Sequence, residues 1–202
     1  MKKTFAAIST VAALGLALAA CSKHDKTNAT DNMAAANEIA SPDNTGAPGN
    51  SMNTPAAAEA PMTAQAFADT ASASDAYEIA TSKLAETKAK DAGVKSFAAE
   101  MIKAHTQSTA DLKAAAAKSD KKATPAGTMT AEQQANLAKL QGLSGADFDK
   151  EYRAQQVDAH TKTLAALKGY RDGGDSTHLK AFARQTVPVV QQHLDMAQKL
   201  PK

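Results

Sequence analysis

The sequence predicts an all-α domain of four long helices and one short helix, set behind a leader and a polar tether. Three observations carry this. The chain has 202 residues, 43% hydrophobic but only 4% aromatic, with no Trp, and Ala supplies much of the apolar content. Such a core suits closely packed helices, because Ala is the best helix former while strands favour branched and aromatic side chains. Behind residue 63 the apolar residues recur every three or four positions, which is the period of a helix face. Breaks rich in Gly, Pro and Asp divide these periodic segments.

The chain starts with Met1-Lys2-Lys3, continues through an uncharged apolar run over residues 5–17, and reaches Leu18-Ala19-Ala20-Cys21. That order describes a secretory signal. The run is shorter than the ~20 apolar residues needed to span a bilayer. Leu-Ala-Ala-Cys resembles the lipobox of bacterial lipoproteins. The resemblance implies a signal peptide over residues 1–20, cleavage before Cys21, a diacylglyceryl thioether on that sulfur and acylation (palmitate or its like) of the new amino group. Two or more acyl chains anchor a protein stably, where one holds it only marginally. Ser22, rather than Asp, is consistent with passage to the outer membrane, facing the periplasm. Cys21 is the only cysteine, so neither an internal disulfide nor a thiolate zinc site is available. Residues 21–62 then read as a tether, without aromatic residues or apolar periodicity, which cannot offset its own ordering entropy. As a coil it would span roughly 35 Å, and His24 within it reads as solvated.

Residues 63–202 suit one domain by length. The first long helix is expected over residues 63–89, with Phe67, Ala71, Ile79, Leu84 and Ala85 on its apolar side. The short turn at Asp91-Ala92-Gly93 implies an antiparallel partner. The second is expected over residues 91–118, where Val94, Phe97, Met101, His105, Ser108 and Leu112 form one stripe. Pro125 and Gly127 interrupt the chain. Thr130-Ala131-Glu132-Gln133 has capping-box form and starts a short helix that ends near Gly142. The third long helix is expected over residues 144–170, burying Phe148, Tyr152, Leu164 and Leu167, and Asp172-Gly173-Gly174 ends it. The fourth covers residues 176–200, using Leu179, Phe182, Val190, Leu194 and Ala197, with a kink expected at Pro188. The long link between the second and third helices fits the crossover of a ferritin-like four-helix bundle. A plain up-down-up-down bundle with a helical flap is the alternative.

Four groups of residues occur in order along this domain: Tyr77-Glu78-Ile79-Ala80 with Lys83-Leu84-Ala85; Val94-Lys95-Ser96-Phe97-Ala98 with Met101-Ile102-Lys103-Ala104-His105; Phe148-Asp149-Lys150-Glu151-Tyr152 with Gln156-Val157-Asp158-Ala159-His160; and Pro188 with His193-Leu194. Together they resemble a bacterial envelope family catalogued as domain of unknown function 4142, over essentially residues 67–200. The resemblance implies a ferritin-like bundle behind a signal or lipoprotein leader. It implies no established activity.

Glu78, His105, His160 and His193 each fall on the apolar stripe of a different long helix, so they point inward. Counted from the first turn, Glu78 and His105 differ in level by roughly 5 Å at ~1.5 Å per residue. Counted from Gly173-Gly174, His160 and His193 differ by roughly 10 Å, which makes His193 the poorest match. One reading is a metal site, since imidazole and carboxylate suit zinc, iron or copper. Met101 with His105, and Met196 with His193, add a copper variant, although Met at such spacing is usually core filler. The di-iron pattern Glu-x-x-His is absent from the sequence. The other reading is a buried polar network in which Glu78 accepts hydrogen bonds from His105 and His160. His178 reads as a surface residue.

Other chemistries find no support. A formal net charge of +2, with acids and bases interspersed, leaves no nucleic-acid footprint. No nucleophile elbow, phosphate loop, dinucleotide turn or zinc-protease helix motif occurs, and no residue is singled out as catalytic. Three functional classes stay open: a non-enzymatic metal-binding envelope lipoprotein, a metal-free module that docks on an envelope protein, and a redox enzyme using a bound metal.

Overall fold

The computed structural model describes residues 62–202. Five helices lie among them: α1 (Ala64–Lys88), α2 (Ala92–Lys118), α3 (Ala131–Gln141), α4 (Gly145–Gly173) and α5 (Thr177–Lys199). No strand, and no helix long and apolar enough to cross a membrane, occurs among the described residues. The expected signal peptide, the anchor at Cys21 and the tether over residues 22–61, with His24, lie outside them.

Local chemistry sets the helix ends. The Thr63 hydroxyl accepts from the Ala66 amide at 3.3 Å and starts α1. Asp91 does the same for Val94 at 3.0 Å and starts α2. Thr130 and Gln133 form the capping box that their spacing predicts, at 3.2 and 2.9 Å. Gly145 opens α4 at φ +64°, a left-handed conformation that costs glycine little and other residues more. Asp149, one turn into α4, accepts from the amides of Lys90 and Asp91 and so pins the α1–α2 turn to α4. α5 runs unbroken through Pro188.

α1 packs on α2 and α4, and α5 packs on α4 and α2. Phe67, near the start of α1, stacks on Tyr170, near the end of α4, with centroids 4.0 Å apart and planes 11° from parallel. Ser119, just past α2, bonds Ser176, just before α5, at 2.6 Å. These contacts make neighbouring long helices antiparallel. α2 therefore ends at the opposite pole from the start of α4, and the link between them runs the length of the domain. It descends along α1, where Thr124 and Gln65 exchange two hydrogen bonds and the Gly127 amide reaches Ser72. α3 then runs antiparallel to α4, tied by Lys162–Glu132 at 2.6 Å and Lys139–Glu151 at 2.7 Å.

This route explains why α1 is a poor amphipathic helix. α2, α4 and the crossover cover it on three sides, and it buries Ser72, Ser74, Asp75, Tyr77, Glu78, Thr81 and Ser82 besides its apolar residues. Ile79 and Leu84, expected on its apolar side, are only half-buried because the stripe facing α2 and α4 lies around Ala71, Asp75, Glu78, Ser82 and Ala85.

The core divides in two. Phe67, Leu112, Leu164, Leu167, Tyr170, Leu179 and Phe182 belong to one apolar cluster. Val94, Phe97, Met101, Leu140, Phe148 and Tyr152 belong to the other, with Phe148 and Tyr152 stacked at 5.7 Å. Each cluster draws on both helix pairs, and the candidate polar residues come from the middle turns of the long helices that join them.

Candidate metal centre

His105 on α2, His160 on α4 and His193 on α5 meet in the interior. Their ring centroids lie 5.7, 5.6 and 5.6 Å apart, close to an equilateral triangle. One nitrogen of each ring lies within 4.8 Å of the others, and all three residues are buried. The level of His193 departs from the sequence arithmetic for a simple reason. Residues 174–176 form the turn and do not advance the chain as helix does. Counted from the true helix ends, His160 and His193 differ by about 5 Å at ~1.5 Å per residue. The pair on α1 and α2 differs by the same amount.

Hydrogen bonds fix the ring tautomers. His160 Nδ1 lies 2.8 Å from the Gln156 carbonyl oxygen, which can only accept, so Nδ1 carries the proton and Nε2 is left with a lone pair. His105 Nδ1 lies 2.8 Å from Asp75 Oδ1 and donates to it, which again leaves Nε2 as the free end. The Thr109 hydroxyl lies 3.1 Å from Asp75 Oδ2 and 2.9 Å from the His105 carbonyl oxygen, so its one proton is shared between these two acceptors. His105 Nε2, His160 Nε2 and His193 Nδ1 are buried without a hydrogen-bond partner among the described residues. Each unpaired buried polar atom costs about 1–3 kcal/mol, so three together call for an explanation.

Glu78 stands beside this trio rather than within it. Its Oε1 is 3.8 Å from His160 Nδ1, whose proton is already directed at Gln156, so the contact is a close approach and not a hydrogen bond. It lies by the Nδ1 edge of the ring, while Nε2 is the free edge. Both its oxygens are buried without a hydrogen-bond partner among the described residues, as is Gln156 Oε1. The network expected from the sequence, with Glu78 accepting from His105 and His160, is therefore not the arrangement found. Each ring donates elsewhere, His105 to Asp75 and His160 to its own helix.

The electrostatics follow from burial and neighbours. Burial pushes the Glu78 carboxyl up to about 7, against the pull of the His105 ring and the Gln156 amide. Burial also pushes His160 down to about 4 and His193 down to about 3, and the charge of His105 adds to both. Burial acts the same way on His105, but the Asp75 hydrogen bond, together with the Glu78 and Asp75 charges, outweighs it and holds that ring above the ordinary imidazole value. Two neutral imidazoles thus face a third that is anchored by a carboxylate.

The trio has the chemistry of a metal site. Three imidazoles from three helices, one of them backed by a carboxylate and one by a backbone carbonyl, match the way histidine ligands are oriented by partners at their second nitrogen. At metal–nitrogen distances of ~2.0–2.1 Å the three nitrogens of a tetrahedral site stand about 3.3 Å apart, so an ion would draw this trio inward slightly. Asp75 is the residue that sequence reading missed. The signal was the spacing Ala71, Asp75, Glu78, Ser82, Ala85, alternating four and three, which puts Asp75 on the same inward stripe as Glu78. Met101 is buried in an apolar cluster with Phe97 and Tyr152, and Met196 packs half-buried against the same cluster. His178 is exposed.

Comparison with known families gives one match: a family model described as "Domain of unknown function (DUF4142)" matches residues 49–200. No curated protein and no solved structure matches the chain.

Proposed function

We propose, for a chain that belongs to the DUF4142 family of domains of unknown function, a metal-binding role: an envelope lipoprotein whose ferritin-like four-helix bundle holds one transition-metal ion on His105, His160 and His193. The observation that carries this reading is the convergence of three buried histidines from three helices, one ring nitrogen of each within 4.8 Å of the others, in rings that each leave a buried nitrogen without a hydrogen-bond partner among the described residues. A cation satisfies all three lone pairs at once. Iron, zinc and copper all accept an imidazole set. Asp75 orients His105 and raises its basicity as a ligand. Glu78, on the Nδ1 side of His160, balances the charge of the ion rather than ligating it. The lipid on Cys21 would hold the chain to the outer membrane from the periplasmic side, with the tether letting the domain stand off the surface.

Elemental analysis of the full-length chain, purified without affinity tag or chelator, tests the metal. About one equivalent per chain is expected, and His105→Ala and His160→Ala should each remove it. Less than about a tenth of an equivalent, with no tight binding on titration, would sink the reading, since a preorganised site binds its ion strongly. Labelled palmitate tests the anchor: incorporation should be lost, and the protein released from membranes, in Cys21→Ser.

One observation favours a metal-free second reading. The Asp75 bond favours protonation of His105, and a cationic His105 would donate from Nε2 to a neighbouring ring. In that case His105 titrates above the ordinary imidazole value in the protein as isolated, and no metal is found. The domain would then serve as a structural or docking module in the envelope.

A further inference from the structure

A cavity of about 30 Å³ abuts the histidine trio, with His105, His193 and Asp75 forming part of its wall. Much of the rest is apolar: Ala71, Leu167, Phe182 and Val190. Apart from the histidine rings, its carboxylate and two of its three hydroxyls are already engaged. Asp75 is bonded by His105 and Thr109, the Thr163 hydroxyl by Ser74, and the Thr186 hydroxyl donates to the Phe182 carbonyl. Ser108 alone adds a hydroxyl outside these bonds. Half-buried Ala104 on α2 and Val189 on α5, which is 44% exposed, place the mouth between these two helices.

Size and lining select the occupant. On the same measure a water needs ~10–15 Å³, so the cavity takes about two water-sized groups. A charged ligand entering it would find little to replace its hydration, which is costly. A neutral molecule gives up little. Three protein ligands on a tetrahedral ion leave a fourth position open, and the cavity lies beside two of the three rings. We infer that this cavity seats a small neutral molecule of two or three atoms, a diatomic gas or a molecule of similar size, at the open position of the ion held by His105, His160 and His193. The inference rests on the metal reading above.

Nitric oxide on the Fe(II) form of the full-length chain, or carbon monoxide on the Cu(I) form, tests it, with metal content measured first. The expected result is a nitrosyl signal by electron paramagnetic resonance, or a bound carbonyl stretch by infrared. Ala104→Leu and Val189→Trp, both at the mouth, should keep the metal and weaken or slow gas binding. Contacts of this size in a pocket change affinity about ten-fold or more. Val189 is exposed enough that its replacement does not threaten the fold. Azide should bind the same metal-loaded chain more weakly than the neutral probe. Absence of metal would overturn the metal reading itself and this inference with it. A metal-loaded chain that binds neither gas, that prefers azide, or whose mouth variants bind gas within about two-fold of the parent, would overturn the inference and leave the metal reading standing.

Discussion

Replacing Asp75 with Asn tests how the centre is built. Asp75 and His105 are both buried, and their bond of 2.8 Å is charge-assisted. Asn keeps the shape and one acceptor oxygen, so it can still receive the Nδ1 proton, but the negative charge is gone. Two estimates of the cost overlap. A hydrogen bond to a charged group contributes about 1.5–3 kcal/mol against about 0.5–1.5 for a neutral one, so losing the charge alone costs about 1–1.5 kcal/mol. Loss of a carboxylate behind a metal-bound imidazole costs about 10–100-fold in affinity, which is about 1.4–2.7 kcal/mol. In the metal-free protein the same change should lower the His105 pKa, because burial, the largest influence on that ring, is then less opposed. Competition with a chelator of known affinity reads the first effect, and histidine ring NMR across pH reads the second. Unchanged metal affinity together with an unchanged His105 titration would refute the reasoning, because Asp75 would then be a bystander.

Glu78→Gln should stabilise the metal-free chain increasingly as pH rises. Burial pushes the folded carboxyl up to about 7 from an ordinary value of 4.5, so the folded state binds more protons, and the contribution of Glu78 to wild-type stability is fully present below 4.5 and lost as pH rises through 7. The advantage of Gln should grow by about 3 kcal/mol across that window; urea unfolding at several pH values checks it, and a difference that does not vary with pH contradicts it. Asp149→Ala leaves the Lys90 and Asp91 amides without their acceptor and should cost about 1–3 kcal/mol in the same assay. Gly174→Ala places a Cβ 2.6 Å from the Tyr170 ring and carbonyl oxygen, so it should cost about 1–3 kcal/mol through forced movement. A loss under about 0.5 kcal/mol, the range of ordinary surface changes, would show that this turn relaxes freely.

Most of the helix framework was legible in the sequence because its punctuation is local. Asp91, Thr130 and Ser176 cap their helices through their own side chains, and Gly145 and Gly174 supply conformations or space that other residues would strain. The inward histidines were legible from the three- and four-residue stripes. What lay outside the pattern was set by three-dimensional choices. The level of His193 depended on where α4 ends. The partners of His105 and His160 depended on rotamers, which periodicity does not encode. Asp75 stood on the stripe in plain view, yet its role exists only because α2 brings His105 within 2.8 Å of it. Ile79 is only half-buried, and Leu84 packs half-buried against the second cluster, because α1 is covered on three sides by α2, α4 and the crossover, so polarity no longer marks its outer face.

The antiparallel packing of neighbours has a consequence for assembly. α1 with α2, and α4 with α5, are two hairpins, and the link over residues 119–144 joins them. His105 comes from the first hairpin, and His160 and His193 from the second. Neither half owns the centre, which exists only once the halves have docked. Within each hairpin the contacts are nearer in sequence than those between hairpins, and docking closes the longer loop. Any ligand that bridges the three rings would therefore act as a clasp between the two hairpins. A single cut in the link would leave two pieces drawn together by the two apolar clusters, each of which draws on both hairpins, and any such ligand would add to that attraction.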